Sequence, residues 1–245
     1  MARLENKTAV ITGGTTGIGY EVAKLFVDEG ARIIITGRNE TRLSEAVADL
    51  GQNAIGVRAD AQSIADIEQL VARVEAEFGQ LDILFANAGV AKRANFREVT
   101  EAHFDEEMAI NLKGVFFTVQ KLEPLMRNGS SIVLNTTTLA QTALPGEAIY
   151  SASKAAVRSL TRSFSMELLD RQIRVNAVAP GPIETPIWSK MDLPPEVAEA
   201  VLKRAPIGRF GKPKEIAKAV LFLASDDSSY MLGEEILVDG GWATL

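Results

Sequence analysis

The chain alternates between short apolar bursts and longer stretches in which apolar residues recur every three or four positions. The bursts run over Thr8 to Thr12, Ala31 to Thr36, Ala54 to Arg58, Leu81 to Ala86, Ser131 to Asn135, Arg174 to Ala179 and Glu235 to Val238. Their apolar residues run on rather than alternating in and out, as in strands covered on both faces. The periodic stretches predict helices over about Gly17 to Glu29, Glu40 to Leu50, Ser63 to Phe78, Thr100 to Met126, Ile149 to Asp170 and Pro213 to Ala224. Strand and helix in alternation imply an α/β fold: a doubly wound parallel sheet with right-handed crossovers and helices on both faces. No linker, repeat or low-complexity segment interrupts the pattern, so residues 1–245 read as a single domain. The long irregular stretch from about Pro180 to Pro213 is a candidate functional loop, its substrate-facing part at about 182–212.

Composition narrows the chemistry. The 245 residues are 47% hydrophobic and 24% charged. A domain of this size buries roughly 70–75% of its unfolded surface and needs no disulfide or metal staple. There are no cysteines, which excludes disulfides, thiolate zinc sites and cysteine nucleophiles. His103 is the sole histidine, so neither a histidine cluster nor a Ser-His-Asp triad can form. Its polar surroundings, Thr100 to Glu107, suit a structural or surface role. The net charge of −6 and the lack of a basic run argue against nucleic acid as a partner. No apolar run reaches the ~18–20 residues of a membrane span, and the N-terminus has no signal-peptide core, so a soluble cytoplasmic protein is expected.

Two motifs carry candidate chemistry. Tyr150 and Lys154 stand four apart in a predicted helix and therefore share a face. An ammonium ion near a phenol favours the phenolate, so Lys154 is expected to lower the pKa of Tyr150 and fit it for proton transfer. Such pairs also arise by chance on helix surfaces. At the other end of the chain, Thr12-Gly13-Gly14-Thr15-Thr16-Gly17-Ile18-Gly19 follows the first strand and opens a helix. A glycine turn there lets backbone approach a pyrophosphate at the helix N-terminus. The spacing is Gly-x-x-x-Gly-x-Gly rather than the commoner Gly-x-Gly-x-x-Gly, and a plain tight turn is the alternative.

Taken together, Thr12 to Gly19, Asn87-Ala88-Gly89, Asn111, Tyr150-x-x-x-Lys154, Pro180-Gly181 and the stretch Gly233 to Gly241 resemble the short-chain dehydrogenase/reductase family in order and spacing over nearly the whole chain. The resemblance implies a Rossmann-like domain with seven parallel strands that binds NAD(H) or NADP(H) and interconverts an alcohol with a ketone or aldehyde. Gly13, Thr15, Thr16, Gly17, Ile18 and Gly19 would then cradle the pyrophosphate. Gly37 stands where members using NAD usually carry Asp, and Arg38 follows it. Arginine matches phosphate geometry, so NADP(H) is favoured over NAD(H). Asp60, with Ala61 beside it, resembles the adenine-reading position, and Asn87, Ala88 and Gly89 the loop along the cofactor. Pro180, Gly181, Ile183 and Thr185 match the loop that meets the nicotinamide amide and phosphate.

For catalysis the resemblance makes Tyr150 the general acid/base, Lys154 its partner and a ribose ligand, and Asn111 the holder of a relay water. The fourth member is usually a serine thirteen residues before the tyrosine, and that position is Thr137. Its hydroxyl offers the same donor and acceptors with a stiffer χ1. Thr136 or Thr138 would take the role if the strand end is offset. Leu139, Ala140, Leu144 and Pro145, with Trp188, Met191 and Leu193 of the loop, suggest an apolar small-molecule carbonyl or alcohol substrate. Several of these would serve equally to pack the loop, and a 3-oxoacyl thioester, a sugar and a steroid stay open. Lys92, Arg93 and Glu147 are candidates to read a polar end of a substrate, although solvated surface is the expected place for all three. The family resemblance implies a homotetramer through the helices over Thr100 to Met126 and Ile149 to Asp170 and the C-terminus. A non-catalytic cofactor sensor or scaffold is the rival reading; an enoyl reductase is disfavoured because that group spaces its tyrosine and lysine more widely.

Overall fold

The computed structural model describes residues 2–186, 199 and 203–245; Trp188, Met191 and Leu193 lie outside them. The strands are β1 (Thr8–Ile11), β2 (Arg32–Gly37), β3 (Ala54–Arg58), β4 (Leu81–Ala86), β5 (Met126–Asn135), β6 (Arg174–Pro180) and β7 (Glu235–Val238). All pair in parallel in one sheet of order β3-β2-β1-β4-β5-β6-β7. The order reverses between β1 and β4, and at such a switch point a crevice opens beyond the strand ends.

Helices α1 (Gly17–Asp28), α2 (Glu40–Leu50), α3 (Ile64–Phe78), α4 (Glu101–Met108), α5 (Gly114–Leu122), α6 (Ala148–Glu167) and α7 (Pro213–Ala224) are the longer helical segments of the described residues. Their starts follow local capping chemistry. The side chains of Asn39, Ser63 and Thr100 accept from the backbone N–H three residues on, which satisfies an otherwise unpaired donor. The sheet feeds two apolar layers because successive strand side chains point to opposite faces. Ile33 and Ile35 pack with Val22 and Phe26 of α1 and Val220 of α7. Ile34 faces the other way, with Val74 of α3, Val119 of α5 and Val157 of α6.

The stretch predicted as one helix over Thr100 to Met126 is broken. A π-turn spans Ala109–Lys113 between α4 and α5, and a 3-10 turn at Glu123–Leu125 ends the run. A π-turn inserts one residue into an otherwise helical ladder, so apolar periodicity reads through it; such turns frequently mark functional sites. Pro124 sits in the closing turn, and β5 begins at Met126, earlier than the expected Ser131. The added residues pair Met126 with Leu81 across a register shift. The helix expected to reach Asp170 ends at Glu167, followed by a 3-10 turn and by Gln172 in the left-handed region at φ 55°.

Candidate active site

The crevice at the switch point is a cleft of about 660 Å³. Its wall includes Gly13, Thr15, Thr16, Gly17, Ile18 and Gly19 of the glycine turn, with Arg38, Asp60 and Ala61 at the β2 and β3 ends. Asn87, Ala88 and Gly89 after β4, Tyr150 and Lys154 of α6, and Thr185 line it further. Residues 120 and more apart in sequence thus share one wall because every strand ends on the same side of a parallel sheet. Pro180, Gly181, Ile183, Asn111 and Thr137 are not in the wall. Pro180 ends β6, Gly181 donates to the Val238 carbonyl (3.1 Å), and Ile183 is buried in the core.

The glycine turn fits a bound anion. The N-cap of α1, Thr16, makes no side-chain cap, and the first turn carries no acidic residue. An uncapped helix N-terminus with free N–H groups and a positive dipole end favours a phosphate. Gly19 is required by contact: a Cβ there would come within 2.3 Å of the Gly13 carbonyl oxygen and 2.6 Å of Asn87 Nδ2. Asn87 holds the turn, donating from Nδ2 to the carbonyls of Thr12 (3.0 Å) and Gly13 (3.2 Å). Thr12 Oγ1 accepts in return from the N–H groups of Asn87 (2.9 Å) and Ala88 (3.0 Å). At the far end, Arg38 lies 3.8 Å from Asp60, a loose and partly exposed ion pair.

Tyr150 is half-buried and opens α6, one turn before the buried Lys154. Lys154 Nζ donates to the Asn135 carbonyl at 2.7 Å. Asn135 was not foreseen as a site residue; it also donates from Nδ2 to Asn87 Oδ1 at 2.8 Å, linking α6 to the glycine turn. Both hydrogens and the oxygen of the Asn111 amide are hydrogen-bonded within the protein. Its Oδ1 accepts from the Val90 N–H (2.9 Å), and its Nδ2 donates to the Val90 carbonyl (2.8 Å) and Ser153 Oγ (3.2 Å). It therefore pins the loop after β4 against α6.

Three threonines follow β5, and their hydroxyls go different ways. Thr136 Oγ1 lies 3.0 Å from the Val178 carbonyl, and Thr138 Oγ1 donates to the Pro180 carbonyl at 3.4 Å. The Thr137 hydroxyl hydrogen-bonds with Tyr150 and accepts from the Leu139 N–H at 3.3 Å.

The electrostatics differ from the expectation for this pair. The Tyr150 hydroxyl is held well above its ordinary value, chiefly by burial, with the carboxyls of Glu147 and Glu107 adding to the rise and Thr137 opposing it. Lys154 Nζ is turned to the Asn135 carbonyl here, and the expected lowering does not offset the rise. Burial brings Lys154 itself down to about 8, against an upward pull from Glu107. The two carboxyls carry no sequence signature. Glu107 is fully buried in α4, 3.3 Å from His103 Nε2 and 3.4 Å from the Lys92 N–H. Glu147, expected at solvated surface, is 5% exposed. Lys92 and Arg93 are exposed and line the cleft.

Glu147 gives a direct pH test. Burial lifts its carboxyl from 4.5 to about 7, with Glu107 adding and Arg93 opposing. The folded protein thus binds this proton more tightly than the unfolded chain. Stability is highest with the group neutral and declines as pH rises through the window from 4.5 to 7. Glu147→Gln is uncharged throughout and is expected to flatten the fall in melting temperature between about pH 5 and pH 8. An equal fall in both proteins would refute the assignment.

A doubly wound parallel sheet with a glycine turn at its switch point and Tyr-x-x-x-Lys on the helix after β5 defines a class of nicotinamide-dependent oxidoreductases. The chain belongs to the short-chain dehydrogenase/reductase family: residues 13–243 match the family model described as enoyl-(acyl carrier protein) reductase. It is 42% identical over 245 residues to the oxidoreductase asL5 of Sarocladium schorii, with 99% of this chain and 98% of that protein covered. It is 41% identical over 245 residues to the 3-oxoacyl-(acyl-carrier-protein) reductase FabG of Thermotoga maritima, covering 98% of each. Among solved structures, a 3-ketoacyl-(acyl-carrier-protein) reductase from Brucella melitensis complexed with NADH matches at a TM-score of 0.92 and 33% identity, over 98% of this chain and 99% of that one.

Proposed function

We propose that the protein is an NADP(H)-dependent oxidoreductase that interconverts a ketone or aldehyde with an alcohol, using Tyr150 as general acid and base. The observation that carries this reading is the shared cleft: the uncapped N-terminus of α1 forms one part of its wall, and Tyr150 and Lys154 another. When bound, the nicotinamide supplies or accepts the hydride. Tyr150 donates its proton to the carbonyl oxygen in reduction and takes it back in oxidation. Thr137 donates a hydrogen bond to the same oxygen, where negative charge grows in the transition state. Lys154 recharges Tyr150 and binds the ribose, and Asn111 keeps the relay in place through Val90 and Ser153. A phenol held above its ordinary pKa keeps its proton at neutral pH, which suits carbonyl reduction. Oxidation is expected to speed up toward alkaline pH.

Chemically, the three residues between Tyr150 and Lys154, together with relatives named for 3-oxoacyl reduction, favour a carbonyl over an enoyl substrate. Leu144 packs against the cluster of Ala205 and Trp242, leaving Leu139, Ala140 and Pro145 as the described apolar candidates for substrate contact. Among the described residues no helix is long and apolar enough to cross a membrane. A homotetramer is consistent with Met166 and Leu245, which are 71% and 91% exposed, whereas Phe164 is in the core. Light scattering tests it.

The cofactor preference rests on Gly37 and Arg38. A Cβ on Gly37 would come within 2.5 Å of the Thr15 methyl, which leaves little room for a ribose-binding aspartate. Arg38 lies at the cleft wall, only loosely paired with Asp60. A charge-assisted hydrogen bond contributes about 1.5–3 kcal/mol, so Arg38→Ala is expected to cost NADPH roughly 10- to 100-fold in kcat/KM and leave NADH nearly unchanged. Turnover of a carbonyl panel with both cofactors decides it: a clear NADH preference of the parent overturns this part, and NADPH binding without any turnover favours a sensor or scaffold.

A further inference from the structure

Glu235 stands at the start of β7, outside the cleft, and no step above uses it. Its side chain is 7% exposed, yet it carries a carboxylate where the neighbouring strand positions are apolar. A buried carboxylate is costly unless its oxygens are well supplied with donors. Here they are. Oε2 accepts from Gln141 Nε2 at 2.5 Å and from Arg158 Nε at 2.7 Å. Oε1 lies 2.5 Å from Thr136 Oγ1, whose single proton it shares with the Val178 carbonyl.

The identity of these partners is what matters. Thr136 and Gln141 bracket the turn that begins at Thr137 and continues as a 3-10 turn over Thr138–Ala140. Within the turn the bonds are local, Leu139 N–H to Thr137 Oγ1, Ala140 N–H to the Thr137 carbonyl and Gln141 N–H to the Thr138 carbonyl, and Thr138 Oγ1 reaches the Pro180 carbonyl at 3.4 Å. Arg158 is on α6, eight residues after Tyr150 and four after Lys154, so the three lie on one helical stripe. One carboxylate therefore grips both flanks of Thr137 and the helix that carries Tyr150 and Lys154.

We propose that Glu235 is a positioning residue of the active site: by holding Thr136, Gln141 and Arg158 together, it fixes the Thr137 hydroxyl relative to Tyr150. The inference rests on the roles given above to Thr137 and Tyr150. A hydroxyl that must donate to a developing oxyanion loses most of its effect when displaced by about 1 Å, and such displacements cost on the order of 100-fold. Glu235 would act on the rate of the chemical step, with little influence on the cofactor's hold at the glycine turn and Arg38, which form the far part of the cleft wall.

The test compares the parent protein with Glu235→Gln and with Arg158→Met, the latter removing only the helix end of the grip at a part-exposed position. NADPH and a carbonyl substrate reduced by the parent serve as probes. The expected result for Glu235→Gln is a kcat roughly 10- to 100-fold lower, with the NADPH dissociation constant within about twofold. Faster amide exchange confined to residues 137–141 is expected with it. Arg158→Met should give the same pattern, smaller in size. In a Thr137→Ala background, Glu235→Gln should cost little more, because the two changes act through one group. An unchanged exchange pattern at 137–141, or full additivity with Thr137→Ala, overturns the proposal, as does a loss of melting temperature with kcat per folded molecule intact. If Thr137→Ala alone leaves kcat unchanged, the role of Thr137 fails instead. The exchange readout then still reports whether Glu235 holds the turn. If Glu235→Gln does not fold, Arg158→Met carries the same decision.

Discussion

Tyr150→Phe is expected to lower carbonyl reduction by about two to four orders of magnitude while leaving NADPH binding within a few-fold. The substitution removes one oxygen from a half-buried ring and keeps the ring's packing at the start of α6. Burial and the carboxyls of Glu107 and Glu147 keep that phenol protonated. The folded environment therefore makes it a reserve of one proton next to the cleft. Lys154 does not substitute for it directly, because its Nζ is engaged with the Asn135 carbonyl. Turnover by stopped-flow and cofactor binding by fluorescence separate the two effects. Undiminished reduction by the variant would sink the assignment of Tyr150.

The second large effect is expected at Thr137. Thr137→Ala removes the hydroxyl that hydrogen-bonds with Tyr150, and the loss of one oxyanion donor costs about 100- to 1,000-fold in kcat. It also removes the acceptor for the Leu139 N–H, so a modest loss of stability, about 1 kcal/mol, should accompany it. Thr137→Ser keeps the donor and is expected to retain activity within a few-fold, the difference reflecting its freer χ1. Thr136 and Thr138 cannot readily compensate, because their hydroxyls are engaged with the β6 carbonyls of Val178 and Pro180. Near-parental turnover by Thr137→Ala would show that none of this matters to the reaction.

Some of the site was legible in the chain and some was not, for identifiable reasons. The glycine turn and Tyr150-x-x-x-Lys154 are local patterns, each within about two helical turns, and both lie at the cleft wall. Strands β3, β4 and β7 and helices α2 and α7 fall on the expected bounds, because continuous apolar runs and 3.6-residue periodicity are local signals. The π-turn at Ala109–Lys113 escaped because a single inserted residue barely perturbs that periodicity. Glu107, one turn before Asn111, reads as one more acidic residue on a polar helix, yet it is fully buried. Pro124 was the available hint that the long helix stops early.

By itself the sequence determined the layered α/β plan, the family, and the residue types able to hold a nucleotide and move a proton. Tertiary structure decided the environment in which those residues work. It set which of three adjacent threonines faces Tyr150, and it made the Asn111 amide a tie between the Val90 loop and Ser153. It also raised the proton affinity of Tyr150 where the helical spacing alone predicted a lower one. The division has a physical cause. Periodicity and turn chemistry depend on neighbours a few residues away, whereas burial and hydrogen-bond partners depend on segments that meet only when the sheet closes. Asn111 and Ser153 are 42 residues apart, and Thr136 and Glu235 are 99.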